Sequence, residues 1–417
     1  MVMTLMAILI NTEKTVSAFH SGGVGPCDAC HVMHGTSGSG SALLRGSDPS
    51  STCLHCHERP GSIGPSGHHI STPASDMQQG MPPRQLTPGG DFGWLRKIYI
   101  WVPDVSQAPA TSYGDQHGHN IVAADYSYLP DALHAAAPRG TYPSASLTCI
   151  SCHDPHGRYR RNIDGTTMTN GNPIGSSGSY VSSADPQSIT SVGVYRLLGG
   201  KNYQPRSVAG NLAFLNDPPV AVAPDEYNRS EAASQTRVAY GTGMSEWCQN
   251  CHPGMHPVAG SGAPRTHPVG ITGRIGSAVA NAYNSYVRTG DLTGSAATSF
   301  LSLVPFEEGV SDIASLKAHA GTDGSFAAGP DPVSSQVMCL TCHRAHASGW
   351  NEALRWNTRT EYIVYNGLYS QEAQAYQPYG QGRTELEAQK AYYDIPSGTF
   401  AVNQDSLCHK CHTGALP

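Results

Sequence analysis

Leu147-Thr148-Cys149-Ile150-Ser151-Cys152-His153-Asp154-Pro155-His156-Gly157 is the fullest copy of a phrase that the chain repeats. Two cysteines three residues apart lie on one face of a helical turn. Both thiols can then bond the two vinyl groups of one porphyrin, and the histidine that follows sits beneath the iron as its proximal ligand. Cys-x-x-Cys-His is therefore the attachment signature of a c-type haem.

The phrase occurs six times: Cys27–Cys30–His31, Cys53–Cys56–His57, Cys149–Cys152–His153, Cys248–Cys251–His252, Cys339–Cys342–His343 and Cys408–Cys411–His412. These copies use all 12 cysteines, which leaves none for a disulfide, a zinc site or a nucleophile. A zinc protein built from Cys-x-x-Cys knuckles has no reason to place histidine after every pair. With 20 histidines in 417 residues, six in six is not chance. The cofactor reading is six covalent haem c groups.

Composition bounds the fold. Gly (46) and Pro (30) make up about 18% of the chain, against about 12% in average usage. Charged residues are 13%, about half the usual share. The expected fold is mostly irregular coil with short helices and few strands, a multihaem cytochrome organised around a chain of six haems that replace much of the apolar core. The formal charge is −6 and no basic tract appears, so no nucleic-acid partner is inferred.

Residues 2–10 form an apolar run too short to span a bilayer, and Val16-Ser17-Ala18 has the small-x-small pattern of a cleavage site. Residues 1–18 read as a signal peptide and residues 19–417 as one hexahaem domain, exported through the periplasm to the cell surface or beyond. No later segment is long and apolar enough to cross a membrane.

The motifs are unevenly spaced. The interval from Cys27 to Cys53 is short, those from Cys53 to Cys149 to Cys248 to Cys339 are much longer, and that from Cys339 to Cys408 is intermediate, so no structural repeat of fixed period is evident. Pro26, Thr52, Ser245 and Ser406 each precede a motif as start signals for the turn that displays the cysteines. Residues 92–102 are the best strand. Helices are expected over 230–240, 277–288, 311–320 and 384–393, the last with a Thr384/Glu387 capping box. Residues 170–185 read as a Gly/Ser-rich loop.

A six-coordinate haem needs a second axial ligand. Removing the six proximal histidines leaves 14, enough for six bis-histidine irons. His34, His156 and His346 each lie three residues after a proximal histidine. Such a residue cannot reach the far face of its own haem, but it can reach a different one and so lock two irons at fixed separation. His119 and His267 share a His-then-Asn/Pro-then-apolar setting, and His20 and His69 sit among small residues. These seven are the distal candidates, with His256 and His319 behind them. His55 should point away from its own haem. His68, His117, His134 and His409 read as surface residues.

Several stretches between the motifs are familiar: 19–24, 87–94 (Thr-Pro-Gly-Gly-Asp-Phe-Gly-Trp), 118–123, 237–241, 244–248, 305–309 and 343–349. They resemble the filament-forming extracellular hexahaem c-type cytochromes, the cytochrome nanowires of metal-reducing bacteria. The resemblance implies bis-histidine ligation of all six haems in one continuous chain. It also implies that His34 leaves its own subunit to ligate the haem on His343 of a neighbour. Nine histidines match the family's (His20, His34, His69, His119, His156, His256, His267, His319 and His346), so three of them are not ligands. Gly67-His68-His69 doubles a histidine that the family has once.

The expected function is extracellular electron transfer in a head-to-tail filament of identical copies, with other redox proteins and external acceptors such as metal oxides as partners. A soluble periplasmic shuttle is the alternative. A multihaem reductase needs an iron with an open position, often with lysine in place of the motif's histidine, and all six motifs here end in histidine.

Overall fold

The computed structural model describes residues 27–32, 43–58, 64–210, 212–232, 234–255, 267–287, 292–294, 304–323, 329–369 and 378–412. Pro26, His20, His34, His256 and the leader lie outside them.

Short turns and coil carry most of the chain. Among the described residues the longest helix is Gly276–Ser285, of 10 residues, and no helix is long and apolar enough to cross a membrane. High Gly and Pro content explains this, since neither residue sustains helix propagation. The strands are equally brief. Tyr99–Trp101 pairs antiparallel with Ala110–Ser112, and Ala221–Val222 with Ala239–Tyr240. Tyr362–Val364 pairs with Gln404–Asp405. One four-stranded sheet runs in the order Thr167–Met168, Arg160–Arg161, Ser191–Gly193, Ile174–Ser176.

Three expected helices form: Gly276–Ser285, Ile313–His319 and Glu385–Ala391. Asp312 caps the second by accepting from the Ser315 amide at 2.7 Å. Thr384 and Glu387 close the capping box on the third. The fourth is absent among the described residues: 234–240 instead lead into the strand Ala239–Tyr240, and the Arg237 amide donates to the Gly321 carbonyl. The expected strand over 92–102 is divided. Phe92–Arg96 is a 3-10 turn capped by Asp91, and only Tyr99–Trp101 is strand. The expected loop over 170–185 contains the strand Ile174–Ser176.

A tyrosine-rich core forms around Trp94, Tyr99, Tyr283, Trp350, Tyr369, Tyr392 and Phe400, all buried. Tyr369 and Tyr392 stack at 4.7 Å with planes 8° apart. Arg383 is fully buried, with its guanidinium 4.3 Å from the Tyr99 ring centre and 4.5 Å from that of Trp350. Aromatic faces supply large apolar area and take a cation's charge at once, which lets so charge-poor a chain bury arginine.

Candidate haem sites

Each motif is a single tight turn. The histidine amide donates to the first cysteine's carbonyl in five of them: His31 to Cys27, His153 to Cys149, His252 to Cys248, His343 to Cys339 and His412 to Cys408, at 2.8–3.0 Å. The second motif ends the helix Pro49–His57. A four-residue bond of this kind brings both cysteines and the imidazole to one side. Start signals differ in detail from the sequence reading. Asp48 rather than Thr52 caps the second motif's helix, its carboxylate accepting from the Ser51 amide at 2.7 Å. Ser245 lies inside the helix Met244–Cys248, where Glu307 accepts from the Gly243, Met244 and Ser245 amides. Ser406 does cap Cys408.

The imidazoles share one orientation device. His153 Nδ1 donates to the Arg196 carbonyl, His343 Nδ1 to that of Glu352 and His57 Nδ1 to that of His68, each at 2.7 Å. His252 Nδ1 donates to the Pro138 carbonyl at 3.0 Å. His119 and His267 bond the Ala345 and Pro268 carbonyls at 2.7 and 2.9 Å. Holding Nδ1–H on a carbonyl fixes the tautomer that leaves Nε2 free to ligate a metal.

These rings face one another in pairs. His31 and His156 have centroids 6.2 Å apart with planes 7° from parallel. His119 and His252 are 6.1 Å apart at 50°, and His267 and His412 are 6.1 Å apart at 80°. Two imidazoles on opposite sides of one metal, each with a bond of about 2 Å, put their centroids about 6 Å apart. The residues therefore fit an iron held between two histidines. His346 is half-buried and stacks on Phe92 at 4.7 Å. Desolvation by the surrounding protein and the nearby His153 and His119 push its imidazole down to about 3. His119, crowded by protein and facing His252, is pushed down to about 4. Both rings are held neutral, the form that ligates.

Burial also pushes the Cys251 and Cys342 thiols up to about 12 and Cys411 to about 11. Among the described residues no three His, Cys, Asp or Glu side chains converge on a metal position. Arg344 supplies a further test of fit. It is buried, its guanidinium 3.3 Å from the Tyr393 ring centre, and its Nε and Nη2 have no hydrogen-bond partner within the protein. Carboxylate arms such as haem propionates would satisfy them.

Adjacent sites are bolted together. The Ser50 hydroxyl, three residues before Cys53, accepts from the Cys149 amide at 3.1 Å. The Ser245 hydroxyl, three before Cys248, accepts from the Cys339 amide at 3.2 Å. The Cys53 and Cys149 thiols meet, as do those of Cys248 and Cys339. His119 hangs on the fifth motif's loop, its amide donating to the His346 carbonyl at 2.9 Å. Gly118 permits that approach. A Cβ there would lie 2.2 Å from the His346 oxygen, a backbone atom with nowhere to go.

The first, third and fifth motifs carry the same backbone clip. The residue after each proximal histidine donates to a distant carbonyl: Val32 to Leu43, Asp154 to Leu197 and Arg344 to Ala353, at 2.7–2.8 Å. Two residues beyond each acceptor, the amides of Arg45, Gly199 and Arg355 return to the second cysteine's carbonyl at 2.8–3.0 Å. A leucine, Leu44, Leu198 or Leu354, bridges each proximal histidine. The clip is strained. Leu43, Arg196, Leu197, Glu352 and Ala353 have φ between 49° and 60°, at about 1–3 kcal/mol for each left-handed non-glycine residue.

The other histidines divide. His117 is not at the surface. It is fully buried, its Nδ1 donating to the Trp94 carbonyl at 2.9 Å and its Nε2 lying 2.8 Å from the Ser112 hydroxyl. The sequence around it, Gln116-His117-Gly118, carries no apolar flank that would have shown this. His55, His68 and His134 are exposed. His409 is partly buried in an ion pair with Asp405 at 2.7 Å. His319 bonds Glu308. His69 is buried and stacks on His68 at 4.8 Å, while His68 meets His57 edge-on at 5.3 Å.

Repeated thioether turns, imidazoles paired across a metal's width and a coil-rich scaffold define a multihaem c-type cytochrome. No family model matches the chain. The chain is 47% identical to the C-type cytochrome OmcS of Geobacter sulfurreducens over 423 residues, which cover 97% of this chain and 96% of that protein. Two solved structures, a cryo-EM structure of the OmcS nanowires and one of the outer membrane cytochrome S filament from the same organism, superpose with TM-scores of 0.88 and 0.86. Each covers 94% of this chain and 99% of its own at 47% identity. The chain belongs to the OmcS family of c-type cytochromes.

Proposed function

We propose that this protein carries electrons outside the cell as one subunit of a head-to-tail filament, after removal of residues 1–18. Each motif would hold one covalent haem c, six per chain, through Cys27/Cys30, Cys53/Cys56, Cys149/Cys152, Cys248/Cys251, Cys339/Cys342 and Cys408/Cys411. Bound haem iron supplies reversible one-electron exchange.

The chain's own residues do the rest. His31, His57, His153, His252, His343 and His412 serve as proximal ligands. His156 serves opposite His31, His119 opposite His252 and His267 opposite His412. His346 serves opposite His153, beside which it lies. His20, His68 or His69 completes the site of His57, and a neighbouring copy's His34 that of His343.

His156, His346 and His34 each belong to the segment of another site, so the chain fixes the separation between those irons. The Ser50–Cys149 and Ser245–Cys339 bonds clamp sites two and three and sites four and five. Arg344, whose Nε and Nη2 have no partner within the protein, would pair with a haem propionate.

The 6.1–6.2 Å imidazole pairs carry this reading. Two filled axial positions leave no iron open to substrate, which suits a conductor. The test is electron microscopy of the purified holoprotein with a haem count by pyridine haemochrome. Filaments with six haems per chain are expected. Monodisperse monomers would favour a periplasmic shuttle.

A further inference from the structure

The clip shared by the first, third and fifth motifs does more than tie a loop. In the third, the carbonyl that takes His153 Nδ1–H belongs to Arg196, the first residue of its left-handed pair. In the fifth, the carbonyl that takes His343 Nδ1–H belongs to Glu352, at the same place in its pair. The two acceptors lie 43 and 9 residues from their histidines, yet the surrounding bonds match one for one.

In both turns a left-handed residue turns its carbonyl back onto the imidazole, and at the fourth site Pro138, followed by the left-handed Arg139, does the same for His252, so the left-handed second residue is what the three sites share. Glycine adopts that conformation readily, but neither Arg196 nor Glu352 is glycine. Each side chain is instead anchored. The Arg196 guanidinium lies over three rings, those of Tyr227, Tyr180 and Tyr195, at 4.2, 4.8 and 5.6 Å. Glu352 pairs with Arg359.

We propose that Arg196 and Glu352 are positioning residues that set the reduction potential at the third and fifth sites. Their main-chain carbonyls hold Nδ1–H of His153 and His343, aim Nε2 at the iron and make each imidazole a stronger donor. A stronger donor favours the ferric state and lowers the potential. Side-chain anchorage keeps the strained turn in place, and the side chain has no direct role at the iron. This rests on His153 and His343 being iron ligands.

The test uses mature holoprotein and paired variants at each site. Glycine retains the positive φ and therefore the carbonyl. Proline at the second position, Leu197 or Ala353, locks φ to a negative value there and breaks the left-handed turn that aims the carbonyl. Haem count and spin state are measured first, then the potential by optical redox titration. Arg196→Gly and Glu352→Gly should keep six low-spin haems and the wild-type titration curve. Leu197→Pro and Ala353→Pro should keep covalent haem and move one-sixth of the absorbance change to higher potential. Leu197→Val, whose branched side chain disfavours the second left-handed residue, should move the same fraction in the same direction by less.

Unchanged curves in the proline variants overturn the proposal, and so does a glycine variant that shifts as far as its proline partner. If a proline variant fails to mature, Leu197→Val decides, and an unchanged curve there is a refutation. Failure of the underlying ligand reading looks different, because wild-type protein would then contain high-spin iron before any substitution.

Discussion

Replacing His119 and His117 separately by alanine should give opposite results, although they stand two residues apart. His119 faces His252 at 6.1 Å. On the proposed ligation of six haems, His119→Ala removes one axial ligand, so one-sixth of the ferric haem should become high-spin, and the reduced protein should bind about one carbon monoxide per chain. His117 is fully buried, and both its nitrogens are engaged by protein. His117→Ala removes the bonds to the Trp94 carbonyl and the Ser112 hydroxyl and the contact with Arg383 Nη2, although the Trp94 carbonyl keeps the Lys97 amide and Arg383 keeps Ser112. The cavity and the lost hydrogen bonds together cost about 3 kcal/mol. The spectrum should stay low-spin while the thermal midpoint falls. Electron paramagnetic resonance, carbon monoxide titration and calorimetry on both variants read this out. A high-spin signal from His117→Ala, or none from His119→Ala, would refute the assignment of partners.

His34→Ala should expose the iron on His343 as partly high-spin and weaken filaments, with spin state and micrographs taken from one preparation. The haem on His31 should remain, because thioether attachment does not use His34. Imidazole planes 7° apart at His31/His156 and 80° apart at His267/His412 should give two kinds of low-spin ferric signal, one rhombic and one strongly anisotropic. His267→Ala should abolish an anisotropic one. Glu307, pushed up to about 7 chiefly by burial, holds its proton longer when folded than when unfolded. Stability should therefore fall as pH rises from about 4.5 to 7, by up to about 3 kcal/mol, and Glu307→Gln should flatten that slope in thermal melts.

Chemistry was more legible in the sequence than conformation. The thioether turns could be read because Cys-x-x-Cys-His is a local requirement, met within one short turn. Capped helices such as Glu385–Ala391 were readable for the same reason. Residues 230–240 deceived because their helical spacing is overridden by pairing of Ala239–Tyr240 with Ala221–Val222. His117 escaped because its burial is made by Trp94, Ser112 and Arg383, which approach from three separate segments. The clip was hidden most thoroughly. Leu43 follows Val32 closely and Ala353 follows Arg344 closely, but Leu197 is far along the chain from Asp154, so no fixed period exists to detect. Its left-handed residues are also leucine, arginine, alanine and glutamate rather than the glycine that usually marks such a turn.

The Ser50–Cys149 and Ser245–Cys339 bonds recur at equivalent places, two motifs apart. Those bonds, and the core that joins Trp94 and Tyr99 to Trp350, Tyr392 and Phe400, tie sites far apart in the sequence into one body. Damage to one site, such as a lost ligand, is then expected to be carried by the contacts that remain, leaving the other sites folded. For a wire, the drawback of that arrangement is plain. Units in series survive one another's failure structurally, yet current must still cross the broken one.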